Sequence, residues 1–530
     1  MKIRNLIYNA RIYTQADNLV VNSIALYDNK IVALGNNLEY DPDFKSYSKF
    51  NLKGRTVIPG LVDAHTHFYY LAMTLGHVNL DGVETLESAL DKIGRFAKPL
   101  GKNDWVVGDG FSPDRLKKRQ DIDRYILDKV CGGRPVFIFS KDQHTAWVNS
   151  RALALAGIDK NSSALEGGEI VRDGDGIPTG VLRENQAYLP VYRRITRPSK
   201  SERDRRYKMA LALAYEKGVT GVHSFDGPEA FEYFSALAEK NRLGLRINYY
   251  APADHLPQLV KNKTYYGTGT DFFRLAGVKI FADGSLGSQS AYCFNKYRGS
   301  KDNYGIETTT VQEMRLLIKE AARLGLPCAI HAIGDRAIAH VLDVFQAAPK
   351  LDFGARHRIE HLQMIRRKDV SRVKNLNIIA SMQPSHCPSD IKLVDRYWGK
   401  RGANAYIFRT LMDRKIDIAF GSDAPIESLD PVAGIAAAVT RARPKSREVF
   451  YPEQRLSAAE ALYCFTVGPA VAAGQSHCRG YLLPGYPSDL VVIDRDITRL
   501  ASTRLYDTKV LATVIDGQVR YCHPSLKLWQ

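Results

Sequence analysis

Apolar residues along this chain gather in short runs of about four to eight, each closed by Gly, Pro or Asp and followed by a stretch with helical spacing. That rhythm predicts buried parallel strands joined by crossover helices. Eight such runs stand out. The first is 56–58, leading into Pro59-Gly60-Leu61-Val62-Asp63-Ala64-His65-Thr66-His67. The next five are 218–223, 245–250, 274–281, 327–331 and 357–361. The last two are 377–382, which runs into Gln383-Pro384-Ser385-His386, and 416–423, which ends on Asp423. Eight strands alternating with helices predict an α/β fold, a (β/α)8 TIM-like barrel.

The strand ends carry the chemistry. His65 and His67 close the first run, Lys279 lies in the fourth, His331 and His361 finish the fifth and sixth, and Asp423 tips the eighth. Imidazole and carboxylate suit zinc and related divalent ions, and a barrel builds its active site at the carboxyl ends of its strands. Each residue alone also has a plain explanation: a chance His-x-His, an ion-paired lysine, an aspartate capping the next helix. Their ordered placement on successive strand ends favours a metal site.

Four segments carry a resemblance: Pro59-Gly60-Leu61-Val62-Asp63-Ala64-His65-Thr66-His67, 279–287, His331-Ala332-Ile333-Gly334-Asp335-Arg336-Ala337, and Gly421-Ser422-Asp423-Ala424-Pro425. They resemble the amidohydrolase superfamily and, within it, amidohydrolase family 3, the branch containing N-substituted formamide deformylases. The resemblance implies two divalent ions, with Zn the default, and a carbamate on Lys279 bridging them. His65, His67 and Asp423 would hold the more buried ion, and His331 and His361 the more exposed one. It further implies a hydrolase that cleaves a non-peptide C–N bond in an amide, formamide or cyclic amide with a metal-bound hydroxide, Asp423 serving as general base and then acid. His144, Gln383 and His386 resemble stretches that line the substrate pocket. Glu360 and Asp335 neighbour ligand histidines, but adjacent strand residues face opposite ways, which assigns Glu360 a structural role.

Two other readings are open. Deamination of a heterocycle on the same scaffold commonly uses one metal and a glutamate three positions after the fifth-strand histidine, where this chain has Gly334. A non-catalytic, regulatory metal-binding protein would have little reason to keep all six ligand types.

Outside the barrel, 3–13 and 23–34 alternate like hairpin strands, and 489–494, 510–515 and 518–521 supply matching material at the other end. They predict one discontinuous β-sandwich from 1–58 and 476–530, with the barrel over 59–475. The first and second barrel strands are too far apart for one crossover. An inserted subdomain at about 79–189, with strands near 105–108 and 135–139, is expected to act as a lid.

Composition changes this picture little. At 530 residues and 45% hydrophobic the chain can bury a large core. Its +17 net charge is spread over separate basic clusters, 115–119 among them, with no nucleic-acid module, so a solvated basic surface is expected rather than a nucleic-acid partner. Seven cysteines without paired spacing predict free thiols. No apolar run approaches the roughly 20 residues of a membrane span, and Met1-Lys2-Ile3-Arg4-Asn5 enters a strand without a secretory h-region. A cytoplasmic enzyme acting on a small-molecule amide, in a form that includes homo-oligomers, is the expectation.

Overall fold

The computed structural model describes residues 4–17, 19–112, 122–140, 145–164, 168–351 and 354–529. His144 and the basic cluster 115–119 lie outside them. The chain divides into two compact units, Met1–Tyr69 with Leu211–Gln530, and Tyr70–Ala210.

The first unit holds eight parallel strands in sequential order: β1 (Leu61–Thr66), β2 (Val219–Ser224), β3 (Arg246–Pro252), β4 (Phe273–Phe281), β5 (Cys328–Ala332), β6 (Arg358–His361), β7 (Ile379–Met382) and β8 (Ile418–Phe420). Most of these strands are buried along nearly their whole length, the pattern of a parallel sheet covered on both faces. The ends of β8 and β1 are stitched together beyond the ladder: the Asp423 amide donates to the His65 carbonyl at 2.7 Å, and the His67 amide donates to the Ala424 carbonyl at 2.9 Å. The helix Val311–Arg323 between β4 and β5 starts at a Thr310/Glu313 capping box, a start legible in the Thr-x-x-Glu spacing.

The first predicted strand needs correction. Thr56–Pro59 is not part of the barrel; it pairs with Arg11–Tyr13 and Leu490–Ile493 in a separate sheet. The first strand breaks at Gly60, where a Cβ would meet the Thr220 hydroxyl at 2.3 Å, and the barrel begins at Leu61. Both strands are buried, so hydrophobicity runs on across the break and hides it.

Two sheets form from the termini. One orders Lys30–Gly35, Ser23–Tyr27, Arg4–Tyr8 and Ser48–Asn51; the other orders Gln518–Cys522, Val510–Ile515, Leu490–Ile493, Thr56–Pro59, Arg11–Tyr13 and Val20–Val21. Ile7, Ile24 and Leu26 of the first sheet share a core with Ile12, Val57, Val492 and Val514 of the second. At the amino end of β3, Arg246 ties the barrel to this sandwich through Asp489 at 2.6 Å and Asp516 at 3.0 Å, with Asp271 also at 2.6 Å.

The second unit is built on a six-stranded sheet running Glu169–Arg172, Pro178–Arg183, Thr145–Val148, Val136–Ser140, Val106–Phe111 and Val78–Asn79. Its strand Val136–Ser140 is covered on both faces by alternation: Val136 and Ile138 join one core with Ala89 and Ile93, while Phe137 and Phe139 join another with Leu153 and Val191. Trp147 is buried here, with its indole donating to the Asp123 carbonyl at 2.9 Å. All seven cysteines are free. Among the described residues no helix is long and apolar enough to cross a membrane.

Gly421 sets the spacing of the seam, because a Cβ there would lie 2.3 Å from the His65 amide nitrogen and 2.7 Å from an Asp63 carboxylate oxygen. Gly421→Ala is expected to destabilise the protein by about 1–3 kcal/mol, the usual penalty of overpacking. Gly174→Ala, with nothing within 4 Å of the added carbon, should leave thermal denaturation unchanged. Equal melting temperatures for the two variants would contradict this account of the seam.

Candidate metal centre

The donors meet at the carboxyl end of the barrel. His65 is carried by β1, with His67 two residues on; His331 is carried by β5, His361 ends β6, and Asp423 follows β8. His65, His331, His361 and Asp423 are buried. One donor atom each from His65, His361 and Asp423 lies within 4.8 Å of the other two. His65 Nε2 stands 3.5 Å and His67 Nε2 3.4 Å from Asp423 Oδ1. The His361 ring sits 4.9 Å from that of His65 and 4.6 Å from that of His331. This cluster therefore draws on residues of both ligand groups that the resemblance implied.

Backbone conformation aims two of these groups. His361 has φ of 69° and Asp423 φ of 61°, in the left-handed region that residues with a Cβ rarely occupy. At His361 this breaks the strand alternation. Glu360 and His361 thus both reach the cluster, and the expectation that Glu360 points away from the ligands is corrected. Its Oε2 accepts from Nδ1 of His65, not of His361.

Partners on the far side of each ring orient the imidazoles. Glu360 holds His65 Nδ1, which turns His65 Nε2 toward Asp423, and Gln383 Oε1 lies 2.8 Å from His361 Nδ1. His331 Nε2 lies 3.1 Å from the Gly284 carbonyl and 3.5 Å from Asp283 Oδ1. Asp283, not Asp335, is the carboxylate beside His331; Asp335 instead accepts from the Phe294 amide at 3.0 Å. The buried carboxylates of Asp63 and Asp283 also hold backbone amides in place. Asp63 accepts from the amides of His65 and Ser422, and Asp283 from those of Ile333, Gly334 and Tyr292.

Lys279 is buried in β4 with its ammonium 4.6 Å from the Phe225 ring and 4.9 Å from the Phe281 ring. Phe225 in turn stacks on His65 at 4.2 Å. His386, at the start of the helix after β7, places Nε2 3.8 Å from Asp423 Oδ2. Among the described residues, Gln383 Nε2 and His386 Nε2 are buried without a hydrogen-bond partner. The sequence marks Asp283 only as a sign that Lys279 is buried, and it assigns no role to Arg358, Phe225 or Asp63. The one available signal was a pair of charges two residues apart, Arg358 and Glu360, inside an otherwise apolar strand.

Electrostatics favour metal ligation. Burial, reinforced by the nearby Lys279 charge, pushes His65 down to about 4 and His331 down to about 3. Burial and the neighbouring imidazoles hold His361 well below its ordinary value. At neutral pH these rings are uncharged and keep a lone pair for a cation. His67 behaves differently: burial would lower it, but the Asp423 carboxylate outweighs burial and raises it. Burial opposes ionisation of Asp423, yet its bond to His67, with the other imidazoles around it, holds it well below the usual carboxylate range. Burial pushes the Lys279 amine down to about 8. Neutral imidazoles and an ionised carboxylate at this spacing fit a divalent cation, whose bonds to such donors run about 2.0–2.2 Å.

The same shifts set an acid limb. The folded state keeps His65 and His331 neutral to about 4 and about 3, whereas the unfolded chain protonates them near 6.5. The unfolded chain binds more protons between those values, so this stability is fully present above pH 6.5 and drains away as pH falls. The melting temperature of chelator-treated protein is expected to fall between pH 6.5 and about 4, and His331→Asn should flatten that limb. Asp63 and Asp283, which burial pushes up to about 7, act in the opposite sense, so the variant comparison isolates the histidines, and an identical pH dependence in wild type and His331→Asn would contradict the assignment.

Known proteins are similar to this chain along nearly its whole length. A model of the amidohydrolase family matches residues 49–521. The chain is 30% identical to protein LONG AFTER FAR-RED 3 of Arabidopsis thaliana over 97% of this chain and 91% of that protein. It is 26% identical to the N-substituted formamide deformylase of Arthrobacter pascens over 97% of this chain and 98% of that enzyme. An uncharacterized metal-dependent hydrolase from Pyrococcus horikoshii OT3 superposes with a TM-score of 0.79 at 28% identity, covering 94% of this chain and 99% of that one.

Proposed function

We propose that this chain, which belongs to the amidohydrolase family, hydrolyses a non-peptide C–N bond in a small amide, formamide or cyclic amide, with Asp423 moving the proton. Hydrolysis and metal dependence come with the family. The choice of bond leans on the deformylase relative and on the site. The observation that carries the reading is the convergence of His65, His361 and Asp423 donor atoms within 4.8 Å at the carboxyl rim of the barrel.

A divalent ion at this cluster supplies Lewis acidity for the scissile carbonyl and lowers the pKa of water. His65, His67, Lys279, His331, His361 and Asp423 are the residues that would hold it, as a pair of ions if Lys279 is carbamylated. Burial leaves part of the Lys279 population as free amine at neutral pH, the form that attacks CO2, sheds a proton and becomes a carbamate. That carbamate adds negative charge to a cluster otherwise made of imidazoles and one carboxylate.

Asp423, ionised and hydrogen-bonded to His67, accepts the proton of the attacking water and returns it to the departing nitrogen as the C–N bond breaks. The products are an amine and a carboxylic acid. Gln383 Nε2 and His386 Nε2, both buried and without a hydrogen-bond partner among the described residues, supply polar contacts for the substrate amide next to Asp423. Deamination is the weaker alternative, because no carboxylate stands at Gly334.

The test is a panel of N-formyl, N-acyl and cyclic amides assayed for amine release by metal-replete protein. Chelation is expected to abolish turnover, and a divalent ion to restore it. Asp423→Asn should lower kcat by about 10²–10⁴-fold with circular dichroism unchanged. Near wild-type turnover in that variant would reject the role given to Asp423. Release of ammonia from an amino-heterocycle with no amide cleavage would favour deamination instead.

A further inference from the structure

Directly beneath the donor cluster, the barrel interior contains an ion pair with no contact to solvent. Arg358 and Glu360 are both 0% exposed. The guanidinium reaches five strands: Nη2 donates to the Ala64 carbonyl of β1 at 2.7 Å and to the Ser381 hydroxyl of β7 at 2.6 Å, and Nη1 lies 2.8 Å from His223 Nδ1 of β2 and 3.2 Å from the Tyr250 hydroxyl of β3. Its Nε donates to Glu360 on its own strand, β6. The other Glu360 oxygen accepts from the Ser381 hydroxyl at 2.6 Å and from His65 Nδ1.

A buried ion pair contributes little net stability over an apolar pair of equal volume, since desolvation offsets the attraction. Stability alone therefore does not account for this one. Its connections do. Guanidinium nitrogens only donate, so they hold Glu360 as a pure acceptor; His65 must then carry its proton on Nδ1, and its Nε2 lone pair is turned toward Asp423.

We propose that Glu360, backed by Arg358, is the positioning residue of the metal centre, fixing the tautomer and ring orientation of His65. The inference rests on the metal-binding reading and deepens it. Ser381 completes the clamp by donating to the same carboxylate oxygen as His65. No proton leaves this network during turnover; it presets one ligand.

The experiment measures zinc affinity of chelator-stripped full-length protein by competition with a chromophoric chelator, alongside the melting temperature of the metal-free protein. Two variants are compared: Glu360→Gln, and the double variant Arg358→Met with Glu360→Leu, which removes both charges together. Each is expected to bind zinc about 10–100-fold more weakly, the usual effect of removing a histidine's carboxylate partner. The melting transition of each metal-free variant establishes that it is folded. Wild-type zinc affinity in either folded variant would overturn the proposal and identify the pair as a structural cross-link. If the double variant does not fold, Glu360→Gln decides on its own. Failure of the wild-type protein to bind zinc would overturn the metal reading as well, which separates the two claims.

Discussion

Everything at the rim depends on how closely β8 approaches β1. The buried carboxylate of Asp63 accepts from the backbone amides of His65 and Ser422, so one side chain pins both strand ends to each other. Gly421 makes room for that contact, and the reciprocal bonds Asp423 to His65 and His67 to Ala424 finish the seam. Asp423 is then held in a left-handed conformation, which a non-glycine residue adopts at a penalty of order 1–3 kcal/mol. The seam supplies the bonds that hold it there, and the outcome is a carboxylate facing two imidazoles.

The two ends of the barrel use charge differently. At the amino end, Arg246 and its three aspartates join the barrel to the terminal sandwich at the periphery. Inside, charged groups are placed one layer below the donors and act on them through hydrogen bonds. This matches the general division in such barrels, with chemistry at the carboxyl end of the strands and stability at the other.

Much of this was legible in the sequence, and the exceptions have physical causes. Apolar runs ending on His331, His361 and Asp423 located β5, β6 and β8 because parallel strands buried on both faces are written as continuous hydrophobic stretches. The same continuity misled at 56–58, where a strand of the terminal sheet and a barrel strand are separated by Gly60 alone. Glu360 was read as facing away from the site because strand side chains alternate. That rule fails where a residue such as His361 leaves the extended region, and a sequence does not mark an aspartate or histidine with positive φ. The roles of Asp63 and Asp283 were invisible for a related reason: the partners of these carboxylates are backbone amides of distant loops, a kind of contact without side-chain spacing.

Anomalous diffraction from crystals of the purified protein, recorded on either side of the edge of the metal identified by elemental analysis, shows whether these residues gather around divalent metal. Anomalous density is expected within bonding distance of His65, His361 and Asp423, lost on chelation. Density confined to other parts of the molecule, or none in fully active protein, would contradict that expectation.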